Sequence, residues 1–315
     1  AKIAIRMLDN VIDINFYPTQ EAENSNLKHR PIGLGLMGLH DVLHILDISI
    51  DSSEAVNFND KLFEFYSNKA ILASSNLSKE RGEYSSFTGS LWDQNILPID
   101  SWNHLMEYRG RRKSHKTHFD WDVVRESIKE HGMRNSNVMA IAPTATIGYI
   151  NGVEQSIEPN FSVLFVYECK SGNFYITNPH FVSDMKAAGL WSPEMAKLVK
   201  SVDGDLSLLN GEMPDSIKEK YKTAFDRDMF KLIECNSVRQ KWIDQSISFN
   251  LYNKTTSLKY LNDLYMSSWE NGLKTTYYLR NRAATKIEKS TQDQPSTDSC
   301  SIEAMKNGEI CESCQ

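Results

Sequence analysis

The stretch SNVMAIAPTATIG, residues 136–148, decides how the rest of the chain is read. Val138 to Ala142 form a short apolar run that Pro143 ends, the pattern of a buried strand. Pro143, Thr144, Ala145, Thr146 and Ile147 follow, small residues with two hydroxyls, and Gly148 comes next. A strand-to-helix turn of that composition suits an anion. Backbone N–H groups and threonine hydroxyls can donate to phosphate oxygens, and the helix dipole adds to them. The turn holds no Lys or Arg, so a phosphate there would rest on neutral donors. Many such turns contain Thr, and the motif is not specific by itself.

Working outward, Asp120 reads as an N-cap for a helix with Trp121, Val124 and Ile128 facing inward and Gly132 closing it. Residues 83–119 are turn-rich and include the basic run RGRRKSHK. Glu54 to Glu80 is helical in pattern, with Phe58, Leu62, Phe65, Lys69 and Leu72 on one side. Before it, a polar loop over 18–30 leads through Pro31 to a helix carrying Leu36, Leu39, Leu43 and Leu46. Ile3, Met7, Val11 and Ile14 give residues 2–14 an amphipathic helical spacing. Downstream, FSVLFVYE and NFYIT within 160–182 read as strands, followed by helices near 193–200, 215–240 and 257–271. Gly272 is a stop, and LKTTYYL (273–279) reads as another strand. Past Arg282 large apolar residues become scarce, so 1–282 reads as a folded portion and 283–315 as a flexible tail. Helices alternating with short buried strands argue an α/β fold with a mainly parallel sheet or barrel.

The 315 residues are 40% hydrophobic and 24% charged, enough for a sizeable core. A net charge of −6 argues against a dedicated nucleic-acid binder. No apolar stretch approaches the roughly 20 residues that span a bilayer, and no signal peptide opens the chain. It begins AKIAIRMLDN, without Met and already helical in pattern, which reads as a fragment or a cleaved product. Of five cysteines, Cys169 and Cys235 sit in apolar segments as buried thiols, whereas Cys300, Cys311 and Cys314 crowd the end. A chain of this length needs no disulfide staples, so the reducing cytoplasm is the expected compartment.

Several patterns are weaker than they look. GLGLMG (33–38), with Asp51 downstream, formally matches a dinucleotide fingerprint, but charge and Pro precede it where a strand should be. Close helix packing at small residues is the better reading. Arg109, Arg111, Arg112, Lys113 and Lys116 make a basic loop without aromatic interleaving, best read as solvated. The eight histidines show no metal-ligand spacing, and no metal site is expected. Tyr277 and Tyr278, adjacent at a strand end, should face opposite sides unless the strand ends or bulges there. They are either packing aromatics or phenols that relay a proton or an electron. Cys311-Glu-Ser-Cys314 is a redox pair or half a zinc site. Cys300 could add a third ligand, but no fourth is nearby, which favours redox. The 33 residues from Tyr278 to Cys311 span about 30 Å r.m.s. if flexible.

Together these segments resemble the large, catalytic subunit of class I ribonucleotide reductase. The resemblance is carried by RPIGLGLMGLHDVL, WDVVRESIKEHGMRNSNVMAIAPTATIG, QSIEPNFS, NPHFVSDM, WIDQSISFN and GLKTTYYLRNR, with CESCQ at the end. These are collinear over nearly the whole chain and correspond to the C-terminal part of that subunit. The resemblance implies the C-terminal part of a ten-stranded α/β barrel. It implies that Pro143 to Ile147 cradle the diphosphate of a ribonucleoside diphosphate. Tyr277 and Tyr278 would carry a radical from the small subunit, and Cys311 and Cys314 would form the tail dithiol that thioredoxin or glutaredoxin reduces. The family's radical-forming cysteine and its redox pair cannot be placed here. The chain would therefore be inactive alone and need an N-terminal companion, which would also hold the ATP and deoxynucleotide effector sites. No cofactor is expected in this chain, and a diferric-tyrosyl or related metal-radical cofactor is expected in the small subunit. Three rivals stand beside this reading. One is a cobalamin-dependent reductase, against which the double tyrosine argues. The others are a non-catalytic nucleotide- or partner-binding remnant of the barrel and a structural zinc tail.

Overall fold

The computed structural model describes residues 1–111, 116–169 and 172–281. The run Val138–Ala142 lies at the centre of a parallel arc. Leu34 pairs with Met139 and Ile141 with Ile247, both in parallel sense. The strand containing Ile247 continues into β3 (Leu251–Asn253), which pairs in parallel with β4 (Leu279–Asn281), Leu251 opposite Leu279. Four segments thus lie side by side in chain order. Parallel neighbours need long crossovers, and helices fill each one. The first holds α3 (Leu39–Ile45), α4 (Ser53–Arg81), α5 (Pro98–Tyr108) and α6 (Asp122–His131). The second ends in α11 (Met229–Gln240), and the third is α12 (Leu258–Glu270). The α/β expectation holds in this coarser form. Among the described residues the arc does not close into a barrel and helix predominates, because only four short segments pair in parallel.

The other two strands correct the expectation for 160–182. β1 (Leu164–Cys169) and β2 (Gly172–Thr177) form an antiparallel hairpin with each other, outside the parallel arc. The GLGLMG segment is itself the first strand rather than a turn or a helix. A Cβ on Gly35 would stand 2.7 Å from the Ala140 carbonyl oxygen, so Gly at 35 permits the approach of the neighbouring strand. The helix expected from Leu36 starts at Leu39, after Gly38 turns the chain at φ 75°.

The first helix, α1 (Lys2–Ile14), has its expected bounds but buries Ile5, Asp9 and Ile12 and exposes Ile3, Met7, Val11 and Ile14. Asp9 decides which face is inward. It is fully buried and paired with Arg30 at 2.9 Å, Arg81 at 3.0 Å and Arg134 at 3.2 Å. The loop expected over 18–30 contains α2 (Gln20–His29), capped by Thr19 and closed by Arg30 in a left-handed conformation. Likewise α5 occupies part of the turn-rich stretch. In α4 the inward face is Asn59, Phe63, Ala70, Ile71, Ser74, Leu77 and Ser78, rotated from the expected one. Small polar residues on that face let it approach α6: Ser75 and Ser127 hydroxyls lie 2.7 Å apart. The helical pattern over 215–240 breaks into α10 (Asp215–Lys220), a short 3-10 turn and α11. Two residues of the basic loop are partnered rather than free in solvent. Arg109 stacks at 4.0 Å on Trp269, and Arg111 pairs with Glu270 at 2.9 Å.

A second, smaller apolar cluster collects Val163 from before the hairpin and Phe181, Met185, Val199, Leu206 and Tyr221 from α8 (Pro179–Ala187), α9 (Pro193–Ser201) and the segments beyond. Three histidines stack beside it: His40 to His44 at 4.0 Å and His44 to His180 at 5.7 Å between centroids, with Tyr221 4.8 Å from His44. His44 Nε2 is buried without a partner. Burial, then the charges of His180, Arg227 and Lys220, push its pKa down to about 3 against the pull of Asp184. An unfolded histidine titrates near about 6.5, so between those values the unfolded chain binds a proton the folded chain refuses. His44 therefore leaves stability unaffected above about pH 6.5 and erodes it as pH falls toward 3. A His44→Phe variant, which keeps the ring in the stack, should unfold at lower pH than the parent when followed by circular dichroism. An unchanged midpoint would remove His44 from the acid response.

Candidate active site

The run from Val138 delivers Pro143 to the end of its strand segment, and α7 (Ala145–Ile150) begins at once. Thr144 makes this turn with φ 48° and ψ 30°, a left-handed conformation that costs a β-branched residue about 1–2 kcal/mol. The side chain offsets part of that, because Thr144 Oγ1 accepts the Ser156 N–H at 2.8 Å. Gly148 N–H donates to the Thr144 carbonyl, the first internal bond of α7. The N–H groups of Ala145, Thr146 and Ile147 precede it and have no carbonyl one turn back within the helix. Ala145, Thr146 and Ile147 are exposed, and Pro143 and Thr144 half-buried. The turn is thus a surface loop with free-facing donors and a strained pivot.

Its return segment, 153–160, is bound on several sides. Glu154 N–H donates to Asp41 at 2.7 Å, Asn160 N–H to His40 Nδ1 at 2.7 Å, and Gln155 Nε2 to the Tyr149 hydroxyl at 2.6 Å. Glu158 reaches the neighbouring strand segment that leads into β3: Asn250 N–H donates to its Oε1 and the Tyr252 hydroxyl to its Oε2, each at 3.1 Å. Burial raises Glu158 to a pKa of about 7, opposed by those two bonds and by Arg239. Glu154 is likewise raised to about 7 by burial, with the Asn160 amide pulling down and Asp41 pushing up.

Tyr277 and Tyr278 lie just before β4 rather than within it, so strict alternation does not apply. Both are about half exposed, their rings are 4.0 Å apart, and the Tyr277 hydroxyl donates to that of Tyr278 at 3.2 Å. That bond raises the Tyr277 pKa. The backbone is held by Tyr277 N–H to Phe249 O at 2.7 Å, Leu251 N–H to Tyr278 O at 2.8 Å and Tyr278 N–H to Asn250 Oδ1 at 3.3 Å. Arg280 lies over the Tyr278 ring at 5.0 Å.

A cavity of about 140 Å³ is lined by Tyr149 of α7, Glu154, Glu158, Asn250, Tyr252 and Arg280 among others. Tyr149 connects this pocket to the helix that follows the PTATI turn, and Arg280 connects it to the strand that follows the tyrosine pair. Cys311 and Cys314 lie outside the described residues, as do Cys300, Arg112 and Lys113. Cys235 is buried, and burial raises its thiol pKa, the state of an inert core cysteine. No group of three or more metal-ligating side chains is assembled among the described residues. Sequence reasoning missed Glu154, Glu158, Asn250, Tyr252 and Arg280. The available signal was a lone carboxylate between Ile157 and Pro159 in QSIEPNFS, with Asn250 closing WIDQSISFN.

Residues 1–279 match the family model described as ribonucleotide reductase, barrel domain. The chain belongs to this family. It is 50% identical over 294 residues to the ribonucleoside-diphosphate reductase subunit alpha of Chlamydia pneumoniae, covering 92% of this chain and 28% of that one. The large subunit of the enzyme of that name from Plasmodium falciparum is 37% identical over 293 residues, 93% of this chain and 35% of its own. That of monkeypox virus is 35% identical over 314 residues, 99% of this chain and 39% of its own. The chain thus spans about a third of the length of these relatives. No helix among the described residues is long and apolar enough to cross a membrane.

The strained turn is open to direct measurement. Thr144→Ala keeps the left-handed backbone but loses the Ser156 bond, and should destabilise by about 1–2 kcal/mol. Thr144→Gly loses the same bond while relieving the strain, and should cost about 1 kcal/mol less than the Ala variant. Urea unfolding checks the order, and Ala more stable than Gly would mean the turn is not strained.

Proposed function

We propose that this chain is the C-terminal portion of the large subunit of class I ribonucleotide reductase, reducing ribonucleoside diphosphates to deoxyribonucleoside diphosphates for DNA synthesis. The observation that carries the reading is the Tyr277–Tyr278 pair, rings 4.0 Å and hydroxyls 3.2 Å apart, beside Arg280, which lines a polar cavity together with Tyr149 of the helix that follows the PTATI turn. Oxidising a phenol near neutral pH requires that its proton leave with the electron. The hydroxyl contact supplies a path: one phenol gives its hydrogen to its neighbour's phenoxyl, and the hole moves one residue without charge separation. The strand backbone fixes the pair, so little reorganisation accompanies the step.

In this reading Pro143 to Ile147 hold the substrate diphosphate through backbone N–H groups and the Thr144 and Thr146 hydroxyls, leaving the charge to be neutralised by other parts of the assembly. The small subunit, with its metal-radical cofactor, supplies the oxidising equivalent. An N-terminal portion of the large subunit supplies the cysteine radical that removes the 3′-hydrogen, the dithiol that gives two electrons as the 2′-hydroxyl leaves, and the effector sites. Cys311 and Cys314 then reduce the resulting disulfide by thiol exchange and are reset by thioredoxin or glutaredoxin in the cytoplasm.

The test is ribonucleoside diphosphate reduction with small subunit and thioredoxin, with and without the N-terminal portion. Turnover only in the mixture, falling to background in Tyr278→Phe, is the expected result. Cys311→Ser should stop thioredoxin-supported cycling while sparing a single turnover of pre-reduced enzyme. Full cycling by that variant would overturn the tail assignment. Absence of turnover in every mixture would favour a nucleotide-binding remnant of the barrel.

A further inference from the structure

Glu158 has no role in the function proposed above, yet it stands between that function's two elements. It follows the PTATI turn by eleven residues and is buried where the return segment meets β3. Both carboxyl oxygens are used there, by Asn250 N–H and by the Tyr252 hydroxyl. Asn250 in turn accepts the Tyr278 N–H through its side chain, and the residues on either side of it accept from Tyr277 and donate to Tyr278 through the main chain. Arg280, two residues past Tyr278, covers the Tyr278 ring and lines the same cavity as Glu158. A short chain of bonds therefore runs from Glu158 through Asn250 to the backbone that carries the two phenols.

We propose that Glu158 is a positioning residue for the tyrosine pair, its carboxylate clamping Asn250 and Tyr252 so that the phenols stay in hydroxyl contact. The proposal rests on reading the pair as a radical relay. A carboxylate accepts from two donors at once, whereas a protonated acid or an amide has one good acceptor and must present a donor to Tyr252. Loss of the charge reverses the Tyr252 bond and loosens the clamp while leaving the cavity filled. Tyr252 from β3, Arg239 from α11, Arg280 from β4, Tyr149 from α7 and Glu154 from the same segment are the ionisable groups around it. Tyr252 and Arg239 favour the carboxylate, and burial opposes it. The balance places its titration at about 7, within the working range of an enzyme.

The experiment uses the assembled, pre-reduced reductase in single turnover, so that the tail and thioredoxin do not contribute to the pH profile. The parent rate should rise with pH through about 7 as Glu158 ionises. Glu158→Gln should be about 10-fold slower above that pH, flat across it, and unchanged in substrate KM. Tyr252→Phe removes a bond that favours the carboxylate, so its rising limb should move to higher pH; it also carries the test if Glu158→Gln fails to fold. A Glu158→Gln enzyme with the parent's rate and profile, or a Tyr252→Phe limb that does not move, overturns the proposal. Tyr278→Phe separates the two readings. If it is inactive while Glu158→Gln behaves as the parent, only the positioning role fails, and if it is fully active the relay itself fails.

Discussion

Four parallel strands joined only by long helical crossovers have no tight turns to set their register, and here the tetrapeptide Trp242–Gln245 sets it. Asp244 accepts Val138 N–H at 2.7 Å and Met139 N–H at 2.8 Å, fixing where the central strand begins. Gln245 Nε2 donates to Ile32 O at 2.7 Å, fixing the first. Lys274 donates to the carbonyls of Ile243, Asp244 and Gln245 at 3.0, 2.6 and 3.1 Å, tying in the approach to the fourth. Trp242 seats the group by stacking on Trp121 at 5.5 Å and donating to Asp60 at 2.7 Å. A slip of one residue would turn every side chain to the other face of its strand, so these bonds decide which residues the arc presents. They also explain why charged groups are tolerated there. Burial raises the Asp244 carboxyl and lowers the Lys274 ammonium, and each is opposed by the other's charge.

Register fixed at the strand starts becomes position at the strand ends. The PTATI turn is the carboxyl-end counterpart of the segment Asp244 holds, and the Asn250–Tyr252 stretch and the tyrosine pair lie side by side further along the segments that follow Gln245 and Lys274. In α/β folds ligands gather at that end because the loops there are free to vary while the sheet is not. The same division is present here. The starts are closed by carbonyl and N–H bonds, whereas the ends carry exposed hydroxyls, a left-handed threonine and a small polar cavity. Glu158 belongs to both regimes, since it is buried like a structural carboxylate but its partners lead to exposed phenols.

What the sequence made legible follows from how local each determinant is. The strand-to-turn reading of 136–148 and the helix closed at Gly132 needed only neighbours in the chain and match the structure. The exception is the N-cap, which is Trp121; Asp120, one residue earlier, accepts the Asp122 and Val123 N–H groups. The inward faces of α1 and α4 did not follow from apolar spacing, because Asp9 and its three arginines lie far apart in sequence and override the Ile3–Ile14 stripe. The α4 interface is likewise made of serines and asparagines that hydropathy reads as surface. GLGLMG was read as close helix packing but pairs as a strand, because an apolar Gly-rich strand has the period of neither element. The tyrosines defeated the alternation rule because the regular strand starts one residue later. Glu158 was invisible because its partners are 92 and 94 residues away.

The exposed face of α1 and the open arc express one condition. Among the described residues, neither outer edge of the arc, at Ile32–Leu34 or at Leu279–Asn281, is paired with a further strand. Parallel sheets are almost always covered and continued, since an open edge leaves a row of unpaired N–H and C=O groups. A stripe of Ile3, Met7, Val11 and Ile14 facing water is unfavourable for the same reason, by roughly 25 cal/mol for each Å² of apolar surface left wet. The N-terminal portion proposed above would relieve both, because further parallel strands at the edges bring crossover helices that need an apolar face to pack on. Assembly would then be driven mainly by surfaces remote from the chemistry. The PTATI turn and the tyrosine pair, already held in place by bonds within this chain, would need no refolding on that assembly.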